Sequence, residues 1–428
     1  MKAEIKNIFQ TILFLFCLLP VWVDAADYTV STGTSTVDGD TFCGGSACTS
    51  SDKIIISGGA RGNLLFKDFD GSGRYITITN KDTNPNAKVI ITTGSMDATY
   101  AGLELRDCKY VNLEGNNDAD LTYGIKVICD GTPAMASAVW VRGKSDHIKI
   151  SYIEMAFDGN KKTSGNGVFI QDSTLSSKMI YDTFEIHHNY IHGCRYAGMY
   201  LGHNNPDIRD NPYVANISVH DNILEDIGAY GMTLKGVHAT SGVCSIYNNV
   251  IKRTGLVYTA TVGEKRNGIK THYYYGSTYA NIYGNWIEAT KGAGLVIGNG
   301  DHQVYNNILV NCGTENNTAY GHGIRLDENN TSNIYDNIII QPARYGVYHA
   351  WGTGNINVDR NLIGNPGVGY VESDSVLVEG SGANANIKHT DVADFNFPVW
   401  SDDGDYNNDI FTIPQAPLKP TGLTITEP

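Results

Sequence analysis

The chain is short of basic residues. Lys and Arg number 31 against 45 Asp and Glu, a formal net charge of −14 over 428 residues, so nothing in it invites nucleic acid or an anionic membrane surface. Prolines (12) and charged residues (18%) are also sparse, whereas glycines (47) and tyrosines (26) are plentiful. Such a chain has ample surface to bury, in one long domain or two. Helical periodicity is missing between the apolar segments, and leucine-rich, ankyrin and tetratricopeptide signatures are missing too, which removes those repeat classes. Cysteine is scarce: of eight, Cys17 falls within the first 25 residues, leaving an odd seven, so at least one stays free or pairs elsewhere.

What is present is a repeated phrase of the form apolar, x, x, Asn, x, apolar. It occurs at Ile186–Ile191, Val219–Leu224, Ile246–Ile251, Ile282–Ile287, Val304–Leu309, Ile334–Ile339 and Val358–Ile363. A fixed Asn between apolar residues suits the turn of a strand-turn-strand unit. It tolerates left-handed backbone, and its amide can bond its own copy in the next repeat. A second phrase, Gly-apolar-x and usually apolar, alternates with the first at Gly167, Gly198, Gly231, Gly268, Gly294, Gly323 and Gly346. Two short strand signals per period of roughly 22 to 36 residues predict a right-handed parallel β-helix, an all-β solenoid whose coils bond to one another at about 4.8 Å.

Residues 1–25 read as a secretory leader: Lys2 and Lys6, an apolar run from Ile8 to Val21, then Val23-Asp24-Ala25 before the cut. The run is too short and too near the start for a permanent membrane anchor. The protein is therefore expected outside the cell, as a monomer. Residues 26–74 are assigned to an N-terminal cap and first coil, 75–400 to the β-helix, and 401–428 to an acidic turn and a Pro-rich linker. Cys43 and Cys48 bracket four small residues and are placed to close a loop in the cap. Cys194 and Cys312 share one place after the Asn phrase and are expected inside the helix. The acidic turn 402–409 is a solvated loop in the first instance and a calcium site in the second. Three inserts, 173–177, 203–214 and 256–266, are expected as surface loops, the last two as walls of a groove.

In the Gly phrase the two apolar residues point inward, so x points out, and so does the residue after the second apolar position. The x column reads Glu104, Trp140, Phe169, Tyr200, Thr233, Lys270, Val296, Arg325, Tyr348, and its neighbour Arg106, Arg142, Gln171, Gly202, Lys235, His272, Gly298, Asp327, Ala350. Trp140, Phe169 and Tyr200 offer flat platforms for sugar rings. Lys235, Lys270, His272 and Arg325 make a cationic band on an acidic protein, which suits an anionic polysaccharide. Cleaving a uronic-acid polymer by β-elimination needs a cation beside the carboxylate, a base for the C5 proton and a donor for the departing O4. Lys270 is chosen as base, with Lys235 its rival, because a lysine among cations loses basicity. His272 is base or proton donor, Arg325 and Arg142 clamp the carboxylate, and Asp327 joins the substrate-binding set. Hydrolysis would instead need two carboxylates across a bond, for which Asp327 with Glu328, or Asp207 with Asp210, are available. His187 and His220 share one place in the Asn phrase, taken later by Tyr247, Tyr283, Tyr305 and Tyr335, and are expected to stack; a metal site with His188 or His192 is the alternative.

Taken together the two phrases resemble the parallel β-helix proteins of the pectate-lyase-like superfold across most of the chain. Within it, Lys270 to Ile338 is similar in layout to the alginate lyase and chondroitinase B family. There a Lys coil, an Asn turn, a Leu-x-Leu-Arg-His-Gly strand and a Gly-Gly-Ile-Arg strand follow one another. The pieces here are Ile269–His272, Asn281–Asn285, Leu295–Gly300 and His322–Arg325. That family's catalytic Arg falls on Gly298, its Lys on Lys270 or His272, and its calcium phrase on Gly263-Glu264 in part. The resemblance implies action on polysaccharide, by a lyase first, by a glycoside hydrolase on the same fold second, or by a non-catalytic carbohydrate-binding or adhesive protein. Expression of the whole chain in an exporting host should release a protein whose intact mass starts at Ala26. A retained chain still carrying Met1–Ala25 would remove the leader assignment.

Overall fold

The computed structural model describes residues 26–389 apart from 81–87, 94–100, 116–122, 130–134, 158–163, 172–180, 203–213, 239–243, 257–265, 273–279, 299, 316–317, 328–330, 351–353, 374–376 and 383–384. The chain is a right-handed parallel β-helix. Three sheets run its length, here called I (14 strands), II (12) and III (12), and every pairing between successive coils is parallel. Each full coil visits III, then I, then II, so a coil holds three strands where the sequence signalled two. The difference lies in the Asn phrase. Its first apolar residue closes a sheet I strand such as Tyr181–His187, its Asn sits in the corner, and its second apolar residue lies in a three-residue sheet II strand, Tyr190–His192.

The corner is held by side-chain amides. From Asn189 through Asn222, Asn249, Asn285, Asn307, Asn337 and Asn361 to Asn386, each Nδ2 donates to the Oδ1 of the next at 2.9–3.0 Å. Asn285 shows the full set. Its backbone N donates to Asn307 Oδ1 at 3.1 Å, its Nδ2 also reaches the carbonyls of Ile246 and Tyr283, and its Oδ1 accepts from Asn249. The left-handed residue is the one before the Asn, not the Asn itself: His188, Asp221, Asn248, Asn306, Asp336 and Arg360 all have φ of 52–55°. The Gly phrase has a different cause, a lack of room. A Cβ on Gly268 would stand 2.5 Å from the Gly294 carbonyl oxygen and 2.6 Å from Ile287 Cγ2, so only hydrogen fits where sheet III begins.

Inside, the apolar positions of the phrases stack coil upon coil into one core, including Ile186, Val219, Ile246, Ile282, Val304, Ile334 and Val358, all fully buried. Each contributes roughly 1.5–3 kcal/mol relative to exposure. Strands begin at Asp27–Val30 in sheet I and Thr36–Asp38 in sheet III, so the segment read as cap lies in the same sheets as the coils. Cys43 and Cys48 are disulfide-bonded. Cys108, Cys129, Cys194, Cys244 and Cys312 are buried thiols, and burial pushes Cys108 and Cys312 up to about 12, so both stay protonated. Strands Leu377–Glu379 and Ile387–His389 are the last described. The acidic turn 402–409, the linker and the insert 173–177 lie outside the described residues, as do 203–213 and 257–265 of the other two inserts.

Replacing Asn285 with Ala should leave Asn249 donors and the Ile246 and Tyr283 carbonyls unmatched in a buried corner, a loss of about 2–4 kcal/mol. Denaturant unfolding of the variant checks it; an unchanged midpoint would show the ladder to be ornamental.

Candidate functional site

Sheet III presents the expected columns in register. Cα pairing runs Glu104, Trp140, Phe169, Tyr200, Thr233, Lys270, Val296, Arg325, Tyr348 without a slip. Alongside it, Arg142 pairs with Arg106, Lys235 with Gly202, and His272 with Lys235. Because side chains alternate along a strand, this places Lys235, Lys270 and Arg325 on one face, with Thr233 and Lys235 on strand Tyr230–Lys235 abutting Lys270 and His272 on Ile269–His272. The His272 side chain lies outside the described residues.

The face is not an open trough. Lys235, Lys270 and Arg325 are 8%, 5% and 6% exposed, and Phe169 and Tyr200 are equally covered. Outward on a sheet is not the same as bathed in solvent, because neighbouring segments fold over the strands. At one end Tyr196, just ahead of its Gly phrase, packs with Tyr200 and Tyr230 (centroids 6.2 and 5.9 Å), while Phe169 meets Trp140 and Tyr200 at 5.6 and 5.3 Å. Trp140 and Tyr196 are the half-exposed members of this cluster. At the other end Tyr320 lies over Val296 and Arg325, its ring 4.2 Å from the guanidinium carbon. Lys235 stands between them with its ammonium 5.2 Å from the Tyr200 ring, a cation–π contact.

Arg142 and Arg325, expected to clamp a substrate carboxylate, each hold a carboxylate of the protein. Arg142 Nε donates to Glu104 at 2.5 Å and its guanidinium sits 4.6 Å over Trp140; Arg106 takes the same Glu104 oxygen at 2.6 Å. Arg325 Nε donates to Asp327 at 2.5 Å, and its Nη1 donates to the Ala319 carbonyl. Asp327 is thereby a partner of Arg325. Glu104 is only 3% exposed, and a buried carboxylate without such partners would be costly. Trp140 Nε1 is also engaged, donating to the Gln171 carbonyl at 2.7 Å.

Sequence reasoning missed Tyr196, Tyr230 and Tyr320. Their common signal is an aromatic one to three residues before the Gly of a Gly phrase. The rings at the Asn corner do stack: His187, His220, Tyr247, Tyr283, Tyr305 and Tyr335 follow one another at 4.7–5.1 Å and within 10° of parallel. Glu328, Asp207, Asp210 and Gly263-Glu264 lie outside the described residues.

No protein-family model matches the chain, and no curated protein matches it. Among solved structures, a GH136 lacto-N-biosidase from Eubacterium ramulus superposes with a TM-score of 0.53 at 12% identity, over 91% of this chain and 71% of that one. An alginate lyase from Paenibacillus gives 0.41 at 13% identity over 80% of this chain and 99% of its own, and a pectate lyase 0.38 at 10% over 85% and 80%. At these identities the likeness is one of fold.

His322, beside the Tyr320 cover, stacks on Tyr348 at 4.3 Å and its Nε2 donates to the Thr318 carbonyl at 3.2 Å. Burial, and then the Arg325 cation, lowers its imidazole from 6.5 to about 3, and burial lowers His187 to about 4. Both stay neutral while the unfolded chain protonates near 6.5. The stability they contribute is complete above that pH and is lost as pH falls toward 3–4. Denaturant unfolding at pH 7 and at about pH 4.5 should therefore differ by about 1–3 kcal/mol. His322→Gln, which keeps a donor for Thr318, should shrink the difference; an equal drop in both proteins would contradict this origin.

Proposed function

We propose that the protein is exported and acts on an extracellular polysaccharide through the outward face of sheet III, cleaving a uronic-acid polymer by β-elimination. The observation that carries the reading is the patch of Thr233, Lys235, Lys270 and His272 on two adjacent strands, with an aromatic cluster on one side and Arg325 on the other. A sugar ring held over Tyr200 and Trp140 would set its carboxylate toward Lys235, whose ammonium stands 5.2 Å from the Tyr200 ring. Lys270 Nζ takes the C5 proton, the C–H electron pair forms the C4–C5 double bond, and the C4–O4 bond breaks. O4 leaves with a proton, for which His272 is the donor. Arg325 then contributes positive potential from behind Asp327 rather than a direct clamp.

Among the described residues a hydrolase reading finds less support on this face, while Glu328, Asp207 and Asp210 lie outside them. Glu104 and Asp327 are each held by arginine, and their strands are seven spacings apart in sheet III, about 34 Å at roughly 4.8 Å per strand. Paired hydrolytic carboxylates stand about 5–9.5 Å apart.

Incubation with alginate, pectate, chondroitin and ulvan, followed by ultraviolet absorbance, reads the conjugated product directly. The account expects absorbance to rise on at least one of them and Lys270→Ala to lower the rate by at least about 100-fold, the scale of a general base. New reducing ends without absorbance would indicate hydrolysis, and retained binding without either would indicate a carbohydrate-binding protein.

A further inference from the structure

At the N-terminal end of the stacked ladder in the sheet I–II corner the rings change from tyrosine to histidine. The His187 and His220 rings lie parallel, 5.0 Å apart and within 2°. His188 and Asp221 occupy the left-handed positions of the same two coils, each with φ 53°. His188, His220 and Asp221 each offer a ligand atom within 4.8 Å of the other two. His187 Nδ1 stands 2.8 Å from His188 Nδ1, a gap that holds a single proton, and His220 Nδ1 stands 2.7 Å from Asp221 Oδ2. The other nitrogen of His220 faces Glu185 Oε1 at 3.5 Å, and Glu185 is anchored by Lys149 at 2.6 Å. Tyr152 stacks on His188 at 5.0 Å. In the next coils the corresponding pairs are Tyr247-Asn248, Tyr283-Gly284, Tyr305-Asn306 and Tyr335-Asp336, without an imidazole.

We propose that His188, His220 and Asp221, with His187 alongside, form a site for one divalent transition-metal ion of the zinc, cobalt or nickel class. Two imidazoles and a carboxylate suit these borderline ions, whereas calcium takes six to eight oxygens. The carboxylate behind the far nitrogen of His220 is the support that metal-bound imidazoles usually carry, fixing the ring and raising its basicity. The ligands come from two successive coils, so the ion joins strand Tyr181–His187 to Val214–His220 through side chains as well as backbone. All three ligands are half-buried, so an ion can reach them from solution. Among the described residues a second candidate trio, the carboxylates Asp38, Asp40 and Asp68, already has Lys67 bonded to Asp38 and Asp68 at 2.5 and 3.1 Å.

The test uses the full mature chain, stripped with chelator and titrated with Zn²⁺ by calorimetry and with Co²⁺ by visible absorption. The expected result is one ion per chain, with the ligand-field bands of a nitrogen–oxygen site. His188→Asn and His220→Tyr install residues that later coils already carry at those places, so the fold and the ring stack survive. Each should weaken binding at least tenfold, and Glu185→Gln about tenfold. Should either ladder variant fail to fold, Asp221→Asn, of equal size and compatible with left-handed backbone, gives the same readout. A wild-type chain that binds neither ion, or variants that bind as tightly as wild type, would overturn the site.

Discussion

A buried amide in each coil from Asn189 to Asn386 is the constraint on which the rest of this molecule depends. The Asn at the corner of sheets I and II satisfies two carbonyls of its neighbourhood and passes a hydrogen bond to its copy in the next coil. A coil that slipped by one residue would bury an unmatched amide and turn its apolar side chains outward together. Register is thus enforced at a corner, and the columns on sheet III inherit it. Lys235, Lys270 and Arg325 share a face because Asn249, Asn285 and Asn337 share a ladder.

The same constraint explains why so much of the fold was legible. Asn and Gly recur for reasons that act on single residues: an amide that must bond its copy, and a backbone approach that leaves no room for a Cβ. Such requirements leave a mark at fixed places in the sequence. The third strand of each coil escaped notice because at three to five residues, beginning inside the Asn phrase in the later coils, it is too short for alternation to register. The left-handed residue was placed one position late because the Asn side chain, rather than its backbone, is what the corner requires.

The site was legible in direction and less so in environment. Alternation told which side chains leave the sheet, and the register agrees position by position. It could not tell that Glu104 spans back to Arg142, or that Tyr320 folds over Arg325, since neither follows from the period of two. Charge reading alone counts an arginine as available; the structure shows it bonded to a carboxylate two residues along its own chain, in the case of Arg325 and Asp327. The two lysines on adjacent strands, as deeply covered as Arg325, are the centre of the proposed chemistry, with rings on one side and that arginine on the other.

The most direct measurement of this account is a crystal structure of the Lys270→Ala protein soaked with a short uronate oligosaccharide. The account predicts sugar density along the outward side of sheet III, with a carboxylate beside Lys235 and a ring against Tyr200 or Trp140. Density on sheet I or II, or sugar on sheet III turned away from both lysines, would contradict it.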